Sequence, residues 1–237
     1  MLDSTEIAPG IHRLGIWQER DLEGILFPDA TFNLYALAAQ KRAIITTGFR
    51  RVFHRFRQKL GDLFDPSTLS YIIVPHHEGD SSGAVNEWLR AAPRAVVLCS
   101  DLCAILSLRD LADREPVVVA DGEMLDLGSH RLRFLMTPQV NQWDSMMIYE
   151  EATQTLFPND LFSTGGFEAR VDRDFSQESL AAARAYGYQA DDRKALNKAL
   201  DKIAHLPVKT VATMHGPTIA GHYGALVRCF RDNALSA

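Results

Sequence analysis

The chain has 237 residues, a net charge of −5 and 46% apolar side chains. That length suits one large domain or two small ones, and the apolar share is enough for a substantial buried core. The acids are scattered and no basic stripe recommends a nucleic acid, while no apolar run reaches the roughly 18–20 residues that a membrane span needs.

The first residues, Met1-Leu2-Asp3-Ser4-Thr5-Glu6, have no basic region followed by an apolar run, so they do not read as a secretory signal. Cys99, Cys103 and Cys229 give no disulfide framework, and Cys99 and Cys103, four apart, read as buried thiols on one helix face. The cytoplasm is the simplest compartment for such a chain.

Residues 11–17 alternate enough for a first strand, 31–39 and 42–48 form a hairpin, and 52–63 place apolar residues at helical spacing. A strand at 71–74 then runs into a polar loop and a helix over 83–90. Strand 94–99 and helix 101–110 follow, and then strands over 116–120, 123–127, 131–136, 145–149 and 153–157. The polar segment 163–176 is a loop long enough to cover a site. Helices over 180–186 and 190–206, a last strand over 208–214 and a helix over 223–235 complete the chain. Strand-rich blocks are each followed by helices, and no short repeat or linker divides them. The order suits an α+β fold of αββα form, in which two mixed sheets pack face to face with helices outside, as one domain over residues 1–237.

Three strand ends carry candidate chemistry. The first is His76-His77-Glu78-Gly79-Asp80, where alternation at the end of an extended segment turns His76, Glu78 and Asp80 to one side. Imidazoles and carboxylates at the end of a buried strand suit a metal, although the same residues fit a polar turn with Asp80 or Ser81 as an N-cap. The second is Asp160, set between apolar residues in Leu156-Phe157-Pro158-Asn159-Asp160-Leu161-Phe162; a carboxylate buried there needs a cationic partner, unless it caps a turn. The third is His215, held by Gly216-Pro217 on a stiff turn; alone it would read as structural.

Taken together, these segments resemble the metallo-β-lactamase fold, and within it the flavodiiron branch. The family's His-x-Glu-x-Asp-His motif is similar to His76-His77-Glu78-Gly79-Asp80-Ser81, and its Glu separates it from the hydrolase branch. The family's His-Trp-Pro-Asp-Ser-Met resembles Asn141-Gln142-Trp143-Asp144-Ser145-Met146. Leu156-Phe157-Pro158-Asn159-Asp160 resembles the segment with the bridging Asp, His215-Gly216-Pro217 the last ligand, and Thr31-Phe32-Asn33-Leu34-Tyr35 an early strand. The resemblance implies a metal set of His76, Glu78, Asp80, Asp160 and His215. Ser81 and Asn141 stand where the family supplies two further histidines.

What the resemblance implies for function is iron, and a small diatomic ligand such as oxygen or nitric oxide that is bound or reduced. Three carboxylates among five donors favour iron or manganese over zinc. With two imidazoles replaced, three states stay open: two weakly held metals, one metal on His76, Glu78, Asp160 and His215, or an empty scaffold. Gln139 and Gln142 are weak ligand candidates, and Trp143 a speculative carrier of electrons or protons. The family's electrons come from a flavin on a flavodoxin-like domain that residues 1–237 do not contain, so a reductase would need a separate electron donor. A homodimer is the usual family arrangement. The alternatives are a metal-poor member with a binding or regulatory role, and a metal-dependent hydrolase.

Overall fold

A computed structural model describes residues 2–17, 31–186 and 193–233. The first sheet runs in the order β1 (Leu2–Ala8), β2 (Ile11–Ile16), β3 (Phe32–Leu37), β4 (Arg42–Ile45), β5 (Leu69–Val74), β6 (Val96–Cys99), β7 (Val117–Val118). Its first four strands pair antiparallel and β4 to β7 pair parallel. The second sheet has the order β12 (Arg170–Val171), β14 (Thr218–Ala220), β13 (Thr210–Val211), β11 (Thr155–Phe157), β10 (Met146–Glu150), β9 (Arg131–Met136), β8 (Met124–Asp126). It too mixes parallel and antiparallel pairs.

Period-two alternation explains why the sheets stack. On β5, Ile72 and Val74 face a helix layer whereas Ile73 enters the core between the sheets. On β10, Met147 and Tyr149 face the other helix layer and Met146 and Ile148 face inward. Side chains of both sheets, among them Tyr35, Ile45, Leu98, Phe134, Ile148 and Phe157, make the central core. The outer layers are α1 (Phe53–Gly61) and α3 (Val85–Ala91) on the first sheet, and α6 (Ser176–Tyr186), α7 (Arg193–Ile203) and α8 (Tyr223–Asn233) on the second. This is the expected αββα sandwich of two mixed sheets.

Local departures from the sequence reading have identifiable causes. β1 was not expected, because Asp3, Ser4, Thr5 and Glu6 interrupt any apolar pattern. It is an edge strand, held by β2 and by Asp3, whose carboxylate accepts from the buried Arg13 guanidinium at 3.0 Å. The expected helix over 83–90 is present as α3, and a further short helix, α2 (Gly79–Ser82), forms inside the polar loop before it. Cys99 and Cys103 do not share a helix face: Cys99 ends β6, and Cys103 lies in α4 (Asp101–Cys103), both buried. The helical path continues through a π segment, Ala104–Leu108, into α5 (Arg109–Leu111). The expected loop 163–176 contains β12, and β14 follows His215; each is too short to leave a periodic signal. The predicted helix residues 190–192 and 234–235 lie outside the described residues.

Charge is less evenly spread than the composition implies. Arg50, Arg51, Arg55, Arg57 and Lys59 cluster on α1 and the turn before it, with no acid among residues 50–59. Val52, Phe56 and Leu60 bury the opposite face of that helix. Among the described residues no helix is long and apolar enough to cross a membrane.

A buried ionic knot ties the β9–β10 hairpin. The Glu150 carboxylate lies 3.3 Å from His130 Nδ1 and accepts from the backbone N–H groups of Ala152 and Thr153 at 2.9 and 2.7 Å. Burial alone would raise its pKa, but these donors and the Thr153 hydroxyl outweigh it and hold the carboxyl at about 2, below its ordinary 4.5. A depressed folded-state pKa adds stability above the unfolded value and loses it as pH falls through the folded one. Glu150→Gln is therefore expected to cost about 2 kcal/mol in urea unfolding at pH 7. The difference from the parent protein should shrink as the pH is lowered from 4.5 towards 2; an equal difference at both ends would refute this assignment.

Candidate metal centre

The five candidate residues meet at one end of the sandwich, drawn from both sheets. β5 ends at Val74, and the chain bends through Pro75 and His76 before α2 begins. Continued strand alternation is therefore not what brings His76, Glu78 and Asp80 together: Glu78 precedes α2 and Asp80 lies within it. The bend replaces the alternation, and candidate ligand atoms of the three all lie within 4.8 Å of one another. Neither Asp80 nor Ser81 is an N-cap, since both lie inside that short helix.

Asp160 comes from the turn after β11, and His215 from the turn between β13 and β14. His76 Nε2 lies 3.2 Å from Glu78 Oε2, 3.7 Å from Asp160 Oδ2 and 3.9 Å from Asp80 Oδ1. His215 Nε2 lies 3.1 Å from Asp160 Oδ1 and 3.4 Å from Asp80 Oδ2. Each aspartate thus turns one oxygen to each histidine. Asp80, Asp160, His76 and His215 are buried, while the Glu78 side chain is 41% exposed and opens the cluster to solvent.

The electrostatics follow from three acids around two imidazoles. Burial disfavours the charged imidazole of His76, but Asp160, Glu78 and Asp80 outweigh it and push its pKa up to about 9. Burial also opposes charge on His215, and Asp160 and Asp80 reverse that effect. Burial pushes the Asp80 carboxyl up despite both histidines. Burial acts in the same way on Asp160, yet His76, His215 and the Asn141 amide hold it below the usual carboxylate range. Buried carboxylates so placed call for a positive charge beside them.

The supporting residues were less visible in the sequence. His215 Nδ1 lies 3.1 Å from the Thr31 carbonyl, which can only accept, so Nδ1 carries the hydrogen and Nε2 is left facing the carboxylates. The His215 backbone N–H donates to Ser163 Oγ at 3.1 Å, and Phe32 meets the imidazole edge-on at 4.7 Å between centroids. Gly216 has φ +76°, and a Cβ there would sit 2.5 Å from the Thr164 carbonyl oxygen, so only glycine fits the turn that presents His215. Segment 163–176 does lie against the site, through Ser163 and Thr164.

The two substituted positions behave differently. The Asn141 amide donates to Asp160 Oδ2 at 2.6 Å, from a residue with φ +64°. Ser81 Oγ is buried with no hydrogen-bond partner. Gln142 donates to Glu78 Oε1, whereas Gln139 is exposed. His77 turns away from the cluster, its Nδ1 2.9 Å from Asp144 Oδ1. Trp143 is 68% exposed and lines a surface pocket with Leu102, Pro138 and Asp144 that includes neither histidine.

Comparisons with known proteins agree with this architecture. Residues 31–216 match the ODP family beta lactamase. A putative diflavin flavoprotein A 2 from Synechocystis is 34% identical over 208 residues, 85% of this chain and 36% of the relative. A nitric oxide reductase from Moorella thermoacetica is 29% identical over 231 residues, 91% of this chain and 57% of the relative. Rubredoxin oxygen:oxidoreductase from Desulfovibrio gigas superposes with a TM-score of 0.84 at 23% identity, covering 97% of this chain and 61% of that one. The Flv1 flavodiiron core from Synechocystis gives 0.82 at 23% identity, covering 98% and 60%. At those identities the structural likeness speaks for the fold alone. The chain spans well under half the length of the diflavin relatives it matches. It belongs to the ODP beta-lactamase family, and its fold is that of the flavodiiron protein core.

Proposed function

We propose that this domain binds iron on His76, Glu78, Asp80, Asp160 and His215, and that it binds or reduces a small diatomic, oxygen or nitric oxide. The observation that carries this reading is the geometry of the two aspartates, each with one oxygen towards His76 and the other towards His215. Buried carboxylates so placed need a cation, and imidazole nitrogens turned towards them provide the remaining donors. The Thr31 carbonyl fixes the His215 tautomer that a ligand needs. The hard oxygen donors favour iron, with manganese next and zinc last.

When bound, the metal would supply electrons to, or a binding position for, the diatomic. The chain's own residues do the rest. Glu78, partly open and held by Gln142, places a carboxylate at the solvent side of the cluster. Phe32 and the buried face around His215 exclude water from the inner side.

The altered ligand set supports a single ion. The hydrogen of the Asn141 amide occupies a lone pair of Asp160 Oδ2, and Ser81 offers a neutral hydroxyl in place of an imidazole. Titration of the metal-free protein with ferrous iron under anaerobic conditions is expected to saturate at about one equivalent per chain. Binding of about two would support a dinuclear site instead, and none would exclude an iron site. Asp160→Asn should abolish tight binding, because it removes charge from the carboxylate shared by both histidines. The double substitution Ser81→His with Asn141→His is expected to raise the capacity towards about two equivalents; unchanged capacity would mean that these positions do not face the metal.

The Asn141–Asp160 bond also favours a second reading, a metal-free domain with a binding or regulatory role. The same iron titration separates the two. Hydrolysis has less support, because Glu78 stands in place of a histidine. As an oxygen or nitric oxide reductase the domain would draw its electrons from a donor outside residues 1–237. We further read residues 1–237 as one cytoplasmic domain that pairs as a homodimer.

A further inference from the structure

The two edges of the first sheet are finished differently. On β1 the edge carries Asp3, Ser4, Thr5 and Glu6, polar residues of the kind that discourage pairing with another chain. On β7 the edge carries Val117 and Val118, 50% and 36% exposed. Eight large apolar side chains are exposed among the described residues, and seven of them fall within residues 96–118. Besides the two valines they include Leu102, Ile105, Leu106 and Leu111, on the helical crossover that runs from α4 through the π segment to α5. Single exposed apolar residues need no explanation, but their concentration on one crossover and the strand it leads to marks an interaction surface.

The backbone of β7 limits what kind of partner fits. Along a strand, each residue turns its N–H and C=O to one side and the next residue turns them to the other. β7 runs parallel to β6 with Val118 opposite Cys99, and the Val119 N–H donates to the Cys99 carbonyl at 3.0 Å. Val117 and Val119 therefore bond towards β6. The N–H and C=O of Val118 point outward, with no backbone partner among the described residues. The Val118 side chain lies on the same face of the sheet as Cys99, and Cys99 packs there with Cys103, Ala104 and Leu108 of the crossover. Open backbone groups and an exposed apolar crossover thus border one edge.

We propose that a second copy of this chain pairs at this edge, its β7 antiparallel to the first about a two-fold axis through Val118. This rests on the homodimer reading above and assigns that dimer a surface. With the axis there, Val118 meets its own counterpart, and the outward N–H and C=O of each copy satisfy each other in two hydrogen bonds. One donor and one acceptor on the same residue are self-complementary under a two-fold axis, and the two first sheets become one with no open edge at β7. Charge points the same way. Every charged residue from 113 to 121 is already matched within the chain: Asp113 by Arg90 at 2.9 Å, Glu115 by Arg109 at 3.2 Å and Asp121 by Lys202 at 2.8 Å, while Arg114 donates to the Ala92 and Ala95 carbonyls. The strand and its flanks therefore keep no surplus with which to select an acidic or a basic partner. A standard interface takes about 800 Å² from each partner, of which roughly three-fifths is apolar. Seven large side chains left between a third and more than half open supply apolar area of that order.

The test is the oligomeric state of the whole chain by sedimentation velocity, with circular dichroism to confirm that each variant is folded. The parent chain should be a dimer at about 0.1 mM. Val118→Pro removes the outward N–H and none of the bonds to β6, so it should raise the dimer dissociation constant at least about tenfold. Ile105→Glu with Leu106→Glu leaves the strand untouched and should weaken the dimer by at least as much, while the control Lys198→Glu, on α7, should not change it. The axis brings residue 118 within about 5.5 Å of its counterpart, Cα to Cα, so Val118→Cys should give a covalent dimer under air and copper–phenanthroline. Val117→Cys, which faces Val119 across the axis, should not, and neither should the parent, whose three cysteines are buried. A dimer that resists both the Val118→Pro and the Ile105→Glu, Leu106→Glu substitutions would overturn this surface and leave the homodimer reading standing. Cross-linking of Val117→Cys as readily as Val118→Cys, or assembly beyond two chains, would overturn the two-fold axis. A monomer at every concentration would overturn the surface and the homodimer reading together.

Discussion

Two buried carboxylates and a third at the solvent side, set against two imidazoles, are the constraint around which this fold closes. Charges of that kind are costly to bury unless they face a counter-charge, and here the partners come from different sheets. His76, Glu78 and Asp80 follow β5 of the first sheet, whereas Asp160 and His215 follow β11 and β13 of the second. The charges are matched only where the two sheets meet. Bonds across the sheets at this end hold that assembly. The Asn33 side chain donates to the Thr213 and Gly216 carbonyls, Tyr35 donates to Thr213 at 2.6 Å, and the Met146 N–H donates to the Pro75 carbonyl.

The backbone around the cluster shows the cost of such convergence. Thr46, Asn141, Asn159 and Phe162 all have positive φ, which asparagine tolerates and a β-branched or bulky residue resists. Thr46 is kept there by its N–H on Ile73 and its hydroxyl on the Asn33 carbonyl. Strain collects in the segments that aim the donors and is offset by the regular ladders behind them.

Much of this was legible in the sequence, for physical reasons. Short continuous apolar runs, such as those of β5 and β10, exposed the two sheets, and a polar cluster directly after an apolar strand marked the site. The cause of convergence was not legible: strand alternation would turn His76, Glu78 and Asp80 to one side, but a bend and a four-residue helix do so instead. Nor were the short strands β12 and β14, which carry too few side chains for a period, or β1, whose edge position lets polar residues occupy it. Thr31 and Ser163 orient His215 through a carbonyl and a hydroxyl, groups that no spacing rule points to. The cations of residues 50–59 and the neighbouring Phe49 were present in plain sequence, but only the fold places Phe49 against Gly79.

The Asn141 amide, 2.6 Å from Asp160 Oδ2, also has a genetic meaning. Codons for asparagine and histidine differ by a single base, whereas serine and histidine differ by two. An imidazole at position 141 is one mutational step away, and it would arrive beside a carboxylate that already has an amide as its partner. Position 81 is the slower to change, and its hydroxyl has no partner to lose. The two halves of the cluster are thus unequally distant from a histidine-rich set, and a lineage carrying this sequence would cross that distance through position 141 first.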